Sequence, residues 1–163
     1  MNASLFHRYH GLGNDYLVCH QSVAVQLSVE QIVRLCDRNY GIGSDGLLID
    51  IDDEEISRVR IINPDGSEAE KSGNGLRIYA RYLFDIKRVG HQPFLVNTLG
   101  GQVSCEVTPG AHQIIVDMGQ AKFAPSALPA SIDGDEVLDR PLVVGGHHLN
   151  VTLVSMGNPH CVV

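Results

Sequence analysis

The segment GNGLRIYARYLFDIKR, residues 73–88, constrains the fold more than any other part of the chain. On a helical wheel, Arg77, Arg81, Asp85 and Arg88 fall on one narrow polar stripe. Leu76, Ile78, Tyr79, Ala80, Tyr82, Leu83, Phe84 and Ile86 cover nearly all the rest. A helix that is apolar on most of its circumference is buried on most sides, so other elements must surround it. Those elements read as strands. SLFHRY and DYLVCH flank the turn HGLGN, and GLLIDI and ISRVRIIN flank the acidic link DDEE. PFLVNT, QVSCEV, HQIIVDM, LNVTLVSM and HCVV follow. Strands spaced roughly 8–12 residues apart with Gly, Pro and Asn between them predict hairpins. The expected class is α+β: a curved, mostly antiparallel sheet wrapped around a central buried helix.

A second helix is expected from about Ser28 to Arg38, with Ser28 and Gln31 at capping-box spacing. Its Val29, Ile32, Val33 and Cys36 form one apolar stripe that predicts a core-facing side. Residues 121–140, with Pro125, Pro129 and an Asp-Gly-Asp tip, read as a surface loop. The whole reads as a single domain over residues 1–163.

Charge and cysteine usage narrow the function. A formal charge of −7 argues against a nucleic-acid surface, which needs clustered Lys and Arg. The short basic run at Arg77, Arg81, Lys87 and Arg88 reads as an exposed helix face. No apolar run reaches the ~18 residues of a membrane span, so no membrane partner is expected. The first residues lack the basic-then-apolar pattern of a secretory signal. Cys19, Cys36, Cys105 and Cys161 are widely spaced and form no C-x-x-C pair, so neither a metal site nor a disulfide framework is expected. All four read as core residues with reduced thiols, and the expected compartment is the cytoplasm.

The start of the buried helix is the first candidate site. A helix N-terminus presents unpaired N–H groups and partial positive charge, which suit a carboxylate or phosphate. Gly73 and Gly75 permit close approach, Asn74 adds an amide, and Ser72 is a good N-cap. Locally, Ser72 reads either as a cap or as a catalytic group. The stretch NYGIGSDG is not a dinucleotide fingerprint, because it lacks G-x-G-x-x-G and precedes a strand.

Five segments taken in order carry a family resemblance: GLGNDYLV, CDRNYGIGSDGLL, NPDGSEAEKSGNGLRIYARYL, VDMGQAKFAP and VSMGNPHCVV. Together they resemble the N-terminal half of diaminopimelate epimerases, from about residue 6 to residue 163. The resemblance implies a cofactor-free isomerase that interconverts LL- and meso-diaminopimelate, a step toward lysine and peptidoglycan. In that family two pseudo-symmetric halves enclose the substrate, and each contributes a cysteine at a helix start. One cysteine removes the α-proton as a thiolate, and the other protonates the opposite face. Carried over by position, Asn14 and Asn63 bind the substrate's polar groups, Gly73 and Asn74 its α-carboxylate, and Asn158 its distal end. His160 is placed beside the catalytic region; its local sequence equally suits a hydrogen-bonded histidine at a strand start.

The chain departs from the family pattern at three points. Ser72 stands where the family has its first catalytic cysteine, and a hydroxyl is far less acidic than a thiol. Gly46 stands where the family commonly has a Gln. The second half's Glu-Arg pair and C-G-T-G or C-G-S-G segment do not occur in these residues. The expectation is therefore one half of a two-domain epimerase, with the C-terminal half as its missing partner, a small amino acid as substrate and no cofactor. The isolated chain is expected to be inactive, and the face left by the missing half to favour a homodimer. Two other readings stay open: a non-catalytic binding or assembly domain of the same fold, and a related racemase with another substrate.

Overall fold

The computed structural model describes residues 6–51 and 56–163. The acidic link Asp52–Glu55 and the first strand's leading residues lie outside them. The chain groups into two compact units, Met1–Asp117 and Met118–Val163.

In the first unit, β1 (His7–Gly11) and β2 (Asn14–His20) form a hairpin, followed by the short helix α1 (Gln21–Ala24) and by α2 (Val29–Cys36). Strands β3 (Leu47–Ile51), β4 (Ser57–Ile62) and β5 (Glu68–Ala69) lead into helix α3 (Gly73–Asp85). Strands β6 (Phe94–Thr98), β7 (Gly101–Val107) and β8 (Ile114–Asp117) complete it. The eight strands form one sheet in the order β1-β2-β3-β4-β6-β7-β8, with β5 beside β4. Pairing is antiparallel except between β2 and β3 and between β4 and β6.

Curvature follows from what α3 touches. It packs against β1 and β2 from one end of the strand order and against β7 and β8 from the other. A flat sheet of this width cannot do both, so the strands curl around the helix, as a surface apolar on most of its circumference requires. Leu76, Tyr79, Ala80 and Leu83 are fully buried, Ile78 and Tyr82 nearly so. Each such large apolar side chain contributes about 1.5–3 kcal/mol on burial.

The helix ends at Asp85, one turn before the expected Arg88. Lys87 turns left-handed at φ 64, and Arg88 N–H donates back to Leu83 O at 2.9 Å, which closes the last turn. The expected exposed basic face is corrected here as well. Arg88 remains exposed but is not free on that face; it binds the buried carboxylate of Asp50 at 2.7 and 2.9 Å.

The second face of the sheet has its own core. Leu17, Cys19, Leu47, Ile49 and Ile62 alternate away from α3 and meet Ile32 and Cys36 of α2. Strands covered on both faces read as nearly continuous apolar runs, which explains YLVC and LLI. The capping box forms as expected: Ser28 Oγ accepts from Gln31 N–H, and Gln31 Oε1 accepts from Ser28 N–H. The expected stripe on α2 is only half buried. Val29 and Val33 are 54% and 44% exposed, because the sheet reaches only the Ile32–Cys36 side of this two-turn helix.

In the second unit, β9 (Arg140–Val144), β10 (His147–Ser155) and β11 (Pro159–Val162) form a three-stranded antiparallel sheet in the order β11-β10-β9. Residues 121–140 are not simply a surface loop. Lys122 bridges to Ser155, and Val137, fully buried, donates to Phe123 O and accepts from Leu153 N–H. Cys161 is exposed, contrary to its expected core position, while Cys19, Cys36 and Cys105 are buried; all four are free thiols. Among the described residues no helix is long and apolar enough to cross a membrane.

Candidate active site at the start of the buried helix

Ser72 is the N-cap of α3, in extended conformation, and its Oγ accepts from Gly75 N–H at 3.0 Å. The glycine at 75 keeps this corner from crowding. A Cβ on Gly75 would sit 3.2 Å from Ser72 Oγ and 3.3 Å from Leu48 Cδ2. With Gly75 N–H taken by the cap, the N–H groups of Gly73 and Asn74 are the first-turn donors without a carbonyl one turn back in the helix. The first turn carries no acidic side chain, so nothing within it offsets the dipole's positive end. Asn74 Oδ1 accepts from the Arg77 guanidinium, which orients the amide. Capping and a ligand-facing position are thus compatible at Ser72.

Strand register brings the other candidates to the same end of the sheet. Leu17 pairs with Leu47 and Leu47 with Ile62, so the preceding Tyr16 and Gly46 lie in one row with Asn63. Tyr16 Oη reaches Ser72 Oγ at 3.4 Å, and Gly11 in the β1–β2 hairpin lies against Asn74 and Ile78. Asn14 opens β2, two residues before Tyr16. Its Nδ2 donates to Asp45 Oδ2 at 2.9 Å, and Asp45 also accepts from Asp15 N–H and Arg38. Asn63 begins the NPDGS turn; its Nδ2 donates to Ser67 Oγ at 3.0 Å, and Gly66 N–H donates to its carbonyl.

An ion cluster holds the Asn14 corner. Asp15, almost fully buried, accepts from Arg38 at 2.6 Å and from Arg8 Nε at 2.9 Å. Burial pushes the Asp15 carboxyl up, but the bonds from Arg38 and Arg8 outweigh it, and its pKa falls below the usual carboxylate value. Asp45 is also lowered, first by Asp15 N–H, then, against burial, by Arg38 and Asn14.

Gly46 has a packing reason to be glycine. A Cβ there would lie 2.5 Å from Ile62 O and 2.7 Å from the Tyr16 ring. In this chain the backbone of β4 and the Tyr16 ring therefore occupy the space into which a glutamine at 46 would start.

Asn158 and His160 belong to the second unit. His160 is exposed on β11 and its Nε2 lies 3.1 Å from Asn158 Oδ1, while Met156 N–H donates to Asn158 O. Among the described residues no group of three or more His, Cys, Asp or Glu side chains is placed to hold a metal ion.

Local sequence reasoning missed Tyr16, Asp45 and Arg38. All three lie inside the quoted motifs, but their partners are distant in the chain, so no local pattern marks them. A carboxylate directly following Asn14 and another directly preceding Gly46 were the available signal.

Comparison with known proteins identifies the family. The family model described as diaminopimelate epimerase matches residues 6–124. The chain is 42% identical over 161 residues to "Diaminopimelate epimerase 2" of Nostoc sp., covering 97% of this chain and 56% of that protein. It is 39% identical to the diaminopimelate epimerase of Synechocystis sp., covering 96% of this chain and 58% of that one. The chain thus spans little more than half the length of these curated relatives. A solved hydroxyproline epimerase from Agrobacterium vitis shares the fold at 15% identity and a TM-score of 0.62, over 91% of this chain and 48% of that one. With a helix-start site on a curled α+β sheet and a family match over most of its length, the chain belongs to the diaminopimelate epimerase family.

Proposed function

We propose that this chain supplies one half of the active site of a cofactor-independent epimerase that interconverts LL- and meso-diaminopimelate by α-proton transfer. The observation that carries this reading is the start of α3, with donors at Gly73 and Asn74, no acid in the first turn, and Ser72 Oγ at the cap. The substrate α-carboxylate binds the two N–H groups, and its α-carbon then faces Ser72. A carbanion there is stabilised by fixed donors rather than by a cofactor. Asn14 and Asn63 receive the polar groups and Asn158 the distal end, and His160 takes a supporting catalytic role. The other half of the protein brings the second acid–base group to the opposite face.

Exposed apolar side chains on the second unit's sheet, Leu142, Val143, Val144 and Val162, support a contact with the second half that its relatives carry or with a second copy of the chain. The four free cysteines suit a reducing cytoplasm.

The test is solvent exchange at Cα. The chain joined to the half its relatives carry, incubated in heavy water with LL- or meso-diaminopimelate, should incorporate deuterium, and the 163-residue chain alone should not. No incorporation by any assembled form, including Ser72→Cys, overturns the reading.

The serine itself favours a second reading, a binding or assembly domain that has lost the chemistry. Under it, Ser72→Cys raises exchange sharply from a silent parent. Exchange by the Ser72 parent removes this alternative.

A further inference from the structure

Resting on the epimerase reading, we propose that Tyr16 and Ser72 form a hydrogen-bonded pair in which the tyrosine phenol relays the proton that Ser72 exchanges with the substrate. Tyr16 is buried, 6% exposed, and its Oη lies 3.4 Å from Ser72 Oγ. No other partner for this hydroxyl is found among the described residues. The separation is longer than an ideal O–H···O bond, as acid–base contacts often are before a ligand closes the site.

The pair answers a chemical problem at this position. An alkyl hydroxyl is a poor proton carrier, whereas phenols and thiols ionise within about 1.5 pKa units of each other. A phenol behind the serine gives Oγ a second hydroxyl with which to exchange its proton. Ser72 Oγ already accepts from Gly75 N–H at 3.0 Å. When Tyr16 also donates to it, two donors hold the oxygen and its own proton is free to face the α-carbon.

The steps balance. In proton removal the Cα–H bond breaks and its proton bonds to Ser72 Oγ. The proton formerly on Oγ passes to the Tyr16 phenolate left when the preceding turnover ran in the protonating direction, and the electron pair stays on the substrate as a carbanion. In the reverse direction Ser72 protonates the carbanion, Tyr16 reprotonates Oγ, and a phenolate remains.

The same residue links the chain's two side-chain departures from the family pattern. Its hydroxyl meets Ser72, and its ring lies 2.7 Å from where a Cβ at position 46 would be. Its ring thus adds to the Ile62 carbonyl in closing the space at position 46.

The experiment compares Cα deuterium exchange in the assembled protein for the parent, Tyr16→Phe, Ser72→Cys and the double variant. Tyr16→Phe keeps the ring against Gly46, so packing is retained. It should slow exchange at least about 100-fold in the Ser72 parent, the scale of general acid–base assistance. In the Ser72→Cys background the same change should have an effect at least about tenfold smaller. Equal slowing in both backgrounds makes Tyr16 merely structural and overturns the relay. Exchange by Ser72→Cys but not by the parent also overturns it and favours the domain that has lost the chemistry, whereas equal slowing leaves the epimerase reading standing. No exchange in any form overturns both.

Discussion

Arg88 reaches from the turn after α3 to Asp50 in the middle of β3, its Nη1 lying 2.7 and 2.9 Å from the two carboxylate oxygens. Tyr79 Oη donates to the same carboxylate at 2.5 Å. Asp50 is 2% exposed, so a buried charge ties the C-terminal end of the helix to the centre of the sheet. Burial, followed by the charge of Asp50, pushes the Tyr79 phenol well above its usual range, which keeps it a donor.

Removing the guanidinium leaves Asp50 buried with only a neutral partner. Arg88→Met should cost about 3–5 kcal/mol in urea unfolding, as broken buried pairs do. Arg60→Met, which removes the exposed pair with Glu68, should cost at most about 1 kcal/mol. Equal costs for the two would show that Asp50 does not depend on Arg88.

Gly46 offers a second stability test. Gly46→Gln should fail to add a useful amide and should destabilise the protein by about 1–3 kcal/mol, the usual range for overpacking. The Ile62 carbonyl, 2.5 Å from the new Cβ, is backbone within a strand and cannot swing away. Combining Gly46→Gln with Tyr16→Ala relieves only the ring contact, so most of the loss should persist. A full recovery in the double variant would place the constraint on Tyr16 rather than on β4.

What the sequence revealed, and what it hid, follows from the range of each interaction. The central helix was legible because residues 76–86 are apolar on all but one narrow stripe, a property of one segment. The hairpins were legible from their turns. The four-residue α1 and two-residue β5 are too short to carry a period, and Pro141 obscured β9. Val29 and Val33 look like Ile32 and Cys36 in a helical wheel, and only the reach of the sheet separates them. The candidate site divides the same way. Ser72, Gly73 and Asn74 form one local motif. Tyr16, 56 residues from Ser72, and Asp45, 31 residues from Asn14, meet them only through strand pairing.

The ion cluster at Asn14 makes an acid-side prediction. The folded-state pKa of Asp15 is depressed, so its contribution is fully present above the unfolded carboxylate pKa of about 3.9. It is lost as pH falls through the lower folded value. Asp15→Asn should therefore be less stable than the parent at neutral pH, and the gap should narrow once pH drops below about 4. Denaturant melts from pH 7 to pH 3 measure it; a gap that stays constant would mean that Asp15 contributes by packing alone.

The thiols make the alkaline counterpart. Burial, with help from the Asp50 charge, pushes Cys19 up to about 11, and burial alone pushes Cys105 up to about 12. Cys161 is exposed, and Cys36 is buried against Ser44. At pH 8 a thiol reagent should label the 163-residue chain at Cys161 within minutes and should reach the other three only after unfolding. Both raised groups ionise more readily in the unfolded chain, near the usual thiol value of about 8.5. Their contribution is complete below that pH and is lost as pH rises through about 11 for Cys19 and about 12 for Cys105. Replacing both by Ala or Val should flatten the decline in stability between pH 9 and pH 11, measured by urea midpoints. An undiminished decline would assign it to other groups, the tyrosines first among them.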